Sequence, residues 1–107
     1  MNFSGITSKF KGEFLNDNIT KTLYATDASA YREVPLAVAF PLDSADIKIL
    51  IDFANKKKIT LIPRTAGTSL AGQVVGKGII VDVSRTFTEI LEVNKEASWV
   101  RLQPGVV

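Results

Sequence analysis

The chain has 107 residues, enough for one small domain, and 46% of them are hydrophobic, so it is expected to fold around a core rather than stay disordered. Its 13 basic and 11 acidic residues leave a net charge of +2, with no stripe of Lys and Arg interleaved with aromatics, which argues against nucleic acid as a partner. Without Cys or His, the chain has no disulfide, no thiol or imidazole chemistry and no zinc site of its own.

No apolar signal core stands at the N-terminus and no apolar run is long enough to cross a bilayer. The expectation is a cytoplasmic protein without an integral membrane segment, with peripheral attachment through a partner left open. From Met1 to Leu23, the spacing of Phe3, Ile6, Phe10, Phe14 and Leu15 predicts a short amphipathic helix packing its Phe face on the domain, with membrane docking as the lesser alternative. Asn16-Asp17-Asn18 breaks it. Tyr24 to Pro35 reads as an ordered loop, in which Asp27 or Thr26 can cap one turn before Pro35 stops it.

Leu36 to Phe40 is a short apolar run closed by Pro41, a buried strand. A helix follows, capped by Asp43 or Ser44, with Asp43 and Asp46 placing negative charge at its positive end. Ile47, Leu50, Ile51 and Ala54 fall at i, i+3, i+4 and i+7, so one side covers a sheet. Lys56, Lys57 and Lys58 sit at the last turn, near the negative end of the helix, which explains the basic run without any ligand. A second strand, Ile59 to Ile62, completes a βαβ unit whose two strands are parallel.

The stretch from Pro63 to Gly72 leaves the carboxyl end of that strand, where ligands sit in parallel sheets. Gly67, Ala66, Ala71 and Gly72 leave room for backbone amides to approach an anion, Thr65, Thr68 and Ser69 add hydroxyls, and Arg64 can add charge. An ordinary tight connection has the same composition. The phosphate-loop pattern ending in Gly-Lys-Ser/Thr is absent and the segment beyond looks like a strand, so any phosphate here is held by loop amides without a helix dipole. Gly76-Lys77-Gly78 turns into a third, central strand, Ile79 to Val83, near whose end Asp82 lies. Ser84 caps a single turn through Phe87. Glu89 to Val93 and Ser98 to Gln103 then form a hairpin about Asn94-Lys95-Glu96-Ala97, and Trp99 is expected in core packing, with ligand stacking as the alternative. Pro104-Gly105 breaks the last strand, and the chain stops two residues later without a closing element, as a larger fold interrupted would.

In order, Tyr24 to Ser29, the Pro41 and helix segment, Pro63 to Gln73, Ile80 to Arg85 and Val100 to Val106 resemble the N-terminal half of the FAD-binding domain of the vanillyl-alcohol oxidase/p-cresol methylhydroxylase family. The glycolate oxidase and D-lactate dehydrogenase branch, with its large members fused to an iron–sulfur domain, is the most similar. The resemblance implies an α+β fold, the first subdomain of that FAD-binding domain built on a βαβ unit plus further strands and truncated before the second. Residues 1–23 would then be an N-terminal helical leader and residues 24–107 the incomplete half-domain.

The resemblance also implies roles. The loop from Arg64 through Thr65, Ala66, Gly67 and Thr68 to Ser69 corresponds to the one whose amides wrap the FAD pyrophosphate, while Gln73 and the Pro104-Gly105 turn fall where the family lines the cofactor. The family loop often reads Arg-Gly-Gly-Gly-Thr, where this chain has Thr65 and Ala66 in the middle. Members that bind FAD covalently often carry His where Thr68 stands, so here FAD is expected to be noncovalent. Catalytic residues, a 2-hydroxy acid site, an electron acceptor and any iron–sulfur cluster would lie outside this chain. Two alternatives remain: a UDP-N-acetylenolpyruvoylglucosamine reductase on the same FAD scaffold, or a noncatalytic phosphate-binding or interaction module. A half-domain of this kind is expected to self-associate.

Overall fold

The computed structural model describes residues 1–107. Along the chain it has α1 (Ser4–Thr7), β1 (Glu13–Leu15), α2 (Asn18–Leu23), β2 (Ala37–Phe40), α3 (Ser44–Lys57), β3 (Leu61–Arg64), β4 (Ile79–Asp82), β5 (Ile90–Asn94) and β6 (Trp99–Leu102). Every residue of β2 and of β4 is buried, the mark of strands covered on both faces. They pair in parallel, and β3 pairs in parallel with β4, giving a sheet of order β1-β2-β4-β3. The third parallel strand in sequence is thus inserted between the first two, and the connections leave all three carboxyl ends on one edge. Pro63 lies in β3, which its lack of an N–H allows because β3 is an edge strand.

The helix after β2 begins as expected, with Asp43 accepting from the amide of Asp46 at 3.1 Å. It ends at Lys58 in the left-handed region (φ 56°), and Ile59 N–H reaches back to Ala54 O at 3.1 Å, a Schellman closure on a residue other than glycine. Its buried residues are Asp46, Leu50, Phe53 and Ala54. The expected stripe is therefore rotated: Ile51 is exposed and Phe53, unread in the pattern, is core. On this face Leu50, Phe53, Ala37, Ala39, Ile79, Val81 and Val83 form one cluster with Ile6 and Phe10. Val38, Phe40, Ile62 and Ile80 form a second cluster behind the sheet, covered by Leu15 and Tyr24. Each fully buried aliphatic side chain contributes about 1.5–3 kcal/mol, so the two layers outweigh any single polar contact.

The first 23 residues are not one helix. Two short helices flank a strand, and β1 adds antiparallel to β2 with Phe14 opposite Ala39. Gly12 permits this approach, since a Cβ there would stand 2.0 Å from Phe40 O. Asp46, wholly buried, accepts from the amides of Lys11, Gly12 and Leu42, each at 2.9 Å, and so fixes the segment to the start of α3. Lys11 also pairs with Asp43, which holds the Asp43 carboxyl below the usual carboxylate range. Tyr24 to Pro35 is irregular, with one bridge between Thr26 and Arg32, and Asp27 caps no helical turn there; its carboxylate accepts from Ser29 N instead.

β5 and β6 form a separate antiparallel hairpin as expected, with a register shift between Ile90 and Glu92. Trp99 does not reach a core within this chain: it is 40% exposed, and its ring stacks with the Arg101 guanidinium at 5.7 Å.

Candidate functional site

At the carboxyl edge of the parallel strands a cleft of about 630 Å³ opens between the sheet and α3. Its floor is apolar: Leu61, Pro63 and Val81 from the strands, with Val83 just past β4, face Ile47, Leu50 and Ile51 of α3. Its rim is the end of β3 and the loop after it, which contribute Arg64, Thr65, Gly67, Thr68, Ser69 and Val74, while Pro104 closes the far side. Six of the nine residues singled out in the sequence therefore meet here. Ala66 lies in the same loop without lining the cleft, and Gln73 and Gly105 do not line it either. No carboxylate lines the cleft.

The loop presents donors. No bond within the chain engages the amides of Ala66, Gly67, Thr68 or Ser69, nor the hydroxyls of Thr65 and Thr68. Unpaired amides on a small-residue loop are what an anion needs in place of water. Gly67 has φ +70°, a conformation that glycine takes without strain, and its carbonyl accepts from Ala28 N at 3.0 Å. Ser69 is different. Its Oγ donates to Gln73 Oε1 at 2.7 Å and accepts from the amides of Ala71 and Gln73, so its hydroxyl shapes the loop and is not spare for a ligand. Gln73 has the matching role. Gly105 fits because any Cβ would meet Phe87 O at 2.6 Å and Val83 O at 2.7 Å; its amide donates to Phe87 O, docking the turn that carries Pro104.

Arg64 borders the cleft, yet strand alternation sends its side chain to the opposite face of the sheet, with Ile62. There Nη1 donates to Thr26 O at 2.8 Å and to Val74 O at 3.4 Å, and Cζ lies 5.0 Å from the Tyr24 ring centroid. Tyr24 in turn donates its hydroxyl to Asp82 Oδ2 at 2.5 Å, and Asp82 Oδ1 accepts from Ser84 N and Oγ. Burial first, and the Asp82 bond second, push the Tyr24 phenol up to about 12. Asp27 is held below the usual carboxylate range chiefly by its bond to Ser29, with Arg64 adding to it.

Sequence reasoning found the rim and missed the floor. The sequence pattern packs Ile47 and Ile51 on the sheet; in the structure they face it across an open cleft, because the residues that α3 buries are Asp46, Leu50, Phe53 and Ala54. Nor did the sequence disclose the Tyr24–Asp82 pair, whose partners stand 58 residues apart.

The sequence profile described as the FAD binding domain matches residues 35–107. The chain belongs to this family of FAD-binding domains, and FAD is the cofactor the family binds. It is 41% identical over 103 residues to D-2-hydroxyglutarate dehydrogenase of Pseudomonas putida, covering 94% of this chain and 10% of that protein. It is 34% identical over 80 residues to glycolate oxidase subunit GlcD of Escherichia coli, covering 73% of this chain and 16% of the relative. The chain thus spans about a tenth of the length of the first of these relatives. Among solved structures, an alkyldihydroxyacetonephosphate synthase superposes with a TM-score of 0.79 at 14% identity, covering 99% of this chain and 23% of that one, which establishes the fold.

The residues present fit FAD. A pyrophosphate needs several donors converging without a competing carboxylate, and the loop supplies free amides above a carboxylate-free cleft.

Proposed function

We propose that this chain supplies the pyrophosphate-binding part of an FAD-dependent 2-hydroxy acid dehydrogenase or oxidase. One observation carries the reading: the amides of Ala66 to Ser69 are unpaired beside an apolar cleft at the carboxyl ends of three parallel strands. The substrate class is supported by the names of the relatives, since 2-hydroxyglutarate and glycolate are both 2-hydroxy acids. Bound FAD supplies the redox chemistry, taking up the electron pair removed from the hydroxy acid.

The chain's own part is to bind and orient. Thr65, Ala66, Gly67, Thr68 and Ser69 offer their amides to the pyrophosphate, with Thr65 and Thr68 adding hydroxyl donors. Arg64 anchors the start of this loop. Gln73 buttresses it through Ser69, and Pro104, carried on the Gly105 turn, walls the far side. Thr68 cannot form a bond to the flavin of the kind a histidine makes, so the cofactor is held noncovalently by this segment. No catalytic residue and no metal ligand are assigned here. In domain terms, residues 24–107 form the first half of the FAD-binding unit, and residues 1–23 are a leader that lends β1 to its sheet.

No helix is long and apolar enough to cross a membrane; cytoplasmic residence is part of the proposal, as is the 2-hydroxy acid partner. So is self-association of the isolated chain through the β5–β6 hairpin, where Ile90 is 60% exposed. Sedimentation of a clean monomer at high concentration would remove that last element.

The test of the reading is an FAD titration of this chain beside the full-length protein that carries it, followed by flavin fluorescence and bound absorbance. The full-length protein should hold FAD while the isolated chain holds little, because the cleft is open to one side. A full-length protein that holds no flavin overturns the proposal, and tight binding by the isolated chain overturns the division of the site.

A further inference from the structure

Arg64 invites assignment as the counter-charge of the pyrophosphate, but its side chain is already engaged elsewhere. β3 alternates, so Leu61 and Pro63 face the cleft while Ile62 and Arg64 face the layer behind the sheet. The guanidinium there lies over the Tyr24 ring at 5.0 Å and bridges two carbonyls, Thr26 O and Val74 O, from the segments before and after the loop. It also underlies the bend of the loop, since a Cβ on Gly67 would stand 2.5 Å from Nη2. Tyr24 is fixed by its bond to Asp82 at the end of β4 and by edge contact with Phe40 of β2 at 5.9 Å. The three parallel strands thus meet behind the loop in one stacked cluster.

From this arrangement we infer that Arg64 is a positioning residue, which moulds the pyrophosphate loop from behind the sheet and makes no direct contact with the anion. The inference rests on the FAD reading above. It makes two demands that a phosphate contact does not. Tyr24, which does not line the cleft, must matter to the loop through Arg64. And charge facing the anion must be unimportant, while the flat guanidinium, lying over the Tyr24 ring with Nη1 shared between the two carbonyls, must be essential.

The experiment compares wild type, Arg64→Lys, Arg64→Met, Tyr24→Leu and the Arg64→Lys/Tyr24→Leu double variant in the full-length protein, by FAD dissociation constant against ionic strength and by thermal melting. Arg64→Lys and Arg64→Met should weaken FAD to a similar degree, about tenfold or more, with the salt dependence of binding unchanged. Tyr24→Leu should weaken it too, and the double variant should lose no more than the worse single change. Rescue by Lys, a flatter salt dependence in Arg64→Met, or full affinity in Tyr24→Leu each overturns the inference. Hydrogen exchange in the absence of FAD gives an independent reading, because Ala28 N–H donates to Gly67 O. Its exchange should quicken in every Arg64 variant that melts like the wild type. If that exchange quickens although the protein binds no flavin, the FAD reading has failed and the positioning role stands; unchanged exchange overturns the role. Should an Arg64 variant not fold, the Tyr24→Leu arm decides alone.

Discussion

Replacing Gly67 by alanine tests the loop at the point where its backbone is most constrained. Gly67 has φ +70°, and an L-residue in the left-handed region costs about 1–2 kcal/mol. The added Cβ would lie 2.5 Å from Arg64 Nη2 and 2.9 Å from Cζ, so the guanidinium must move. A side-chain end moves cheaply; what is lost is its bond to Thr26 O, and hydrogen bonds to charged groups contribute about 1.5–3 kcal/mol. Counting partial loss of that bond, the loop conformation becomes dearer by about 2–4 kcal/mol, or about 30- to 700-fold in an equilibrium constant. Where the exposed loop relaxes in the absence of FAD, the cost returns on binding; where it cannot relax, it appears as lost stability. The assay therefore reads FAD affinity by flavin fluorescence and stability by urea unfolding, and the two losses together should reach that range. Gly5→Ala is the control, since its Cβ would make only ordinary contact with Phe53 at 3.6 Å, far from the cleft. A Gly67→Ala protein within twofold of wild type in affinity and unchanged in urea midpoint would refute the reasoning.

Asp46→Ala should cost about 3–5 kcal/mol in urea unfolding, because it removes three bonds between a buried carboxylate and the part-buried amides of Lys11, Gly12 and Leu42; a loss under about 1 kcal/mol would mean water replaces them. Tyr24 has its folded pKa raised above the ordinary phenol value, to about 12, so its contribution is complete below pH 10 and is lost as pH rises from there towards 12. Tyr24→Phe should therefore flatten the alkaline fall in stability over that window, and an identical fall in both proteins counts against the Tyr24–Asp82 bond. The carboxyls of Asp17, Asp27 and Asp43 are each held below their ordinary value, by Thr20, Ser29 and Lys11 respectively, so what they add is present above about pH 4 and lost below it. Lys11→Met should shift the acid midpoint seen by circular dichroism upward, through Asp43; no shift would show that the exposed pair is screened out.

The βαβ unit was legible because its signals are local. Asp43 stands three residues before the amide it caps, the strand from Ile79 is apolar as far as Val81, and the loop of small and hydroxyl residues follows a strand with nothing helical after it. The N-terminal strand was not, because Phe10 and Phe14 stand four apart, a helical spacing, while the pairing that decides the matter is made with β2, far along the chain. Gly12 was the available clue, since its close approach to Phe40 O needs an absent side chain. In the site, small residues announce free amides, so the rim could be read directly. The destination of a long side chain depends on what lies behind the sheet, which is why the sequence pointed Arg64 at an anion and the structure turns it towards Tyr24. Trp99 differs for a related reason: strand patterning gives its side chain a face but says nothing of what covers that face, and every residue of β6 is exposed.

The most direct measurement is hydrogen exchange by mass spectrometry on the full-length protein stripped of FAD and then reloaded. Peptides spanning Arg64 to Ser69 should exchange freely without FAD and become protected on reloading, and ADP, which carries the pyrophosphate, should reproduce part of that protection while riboflavin does not. Protection elsewhere with no change across Arg64 to Ser69 would contradict the assignment of the loop as the pyrophosphate grip.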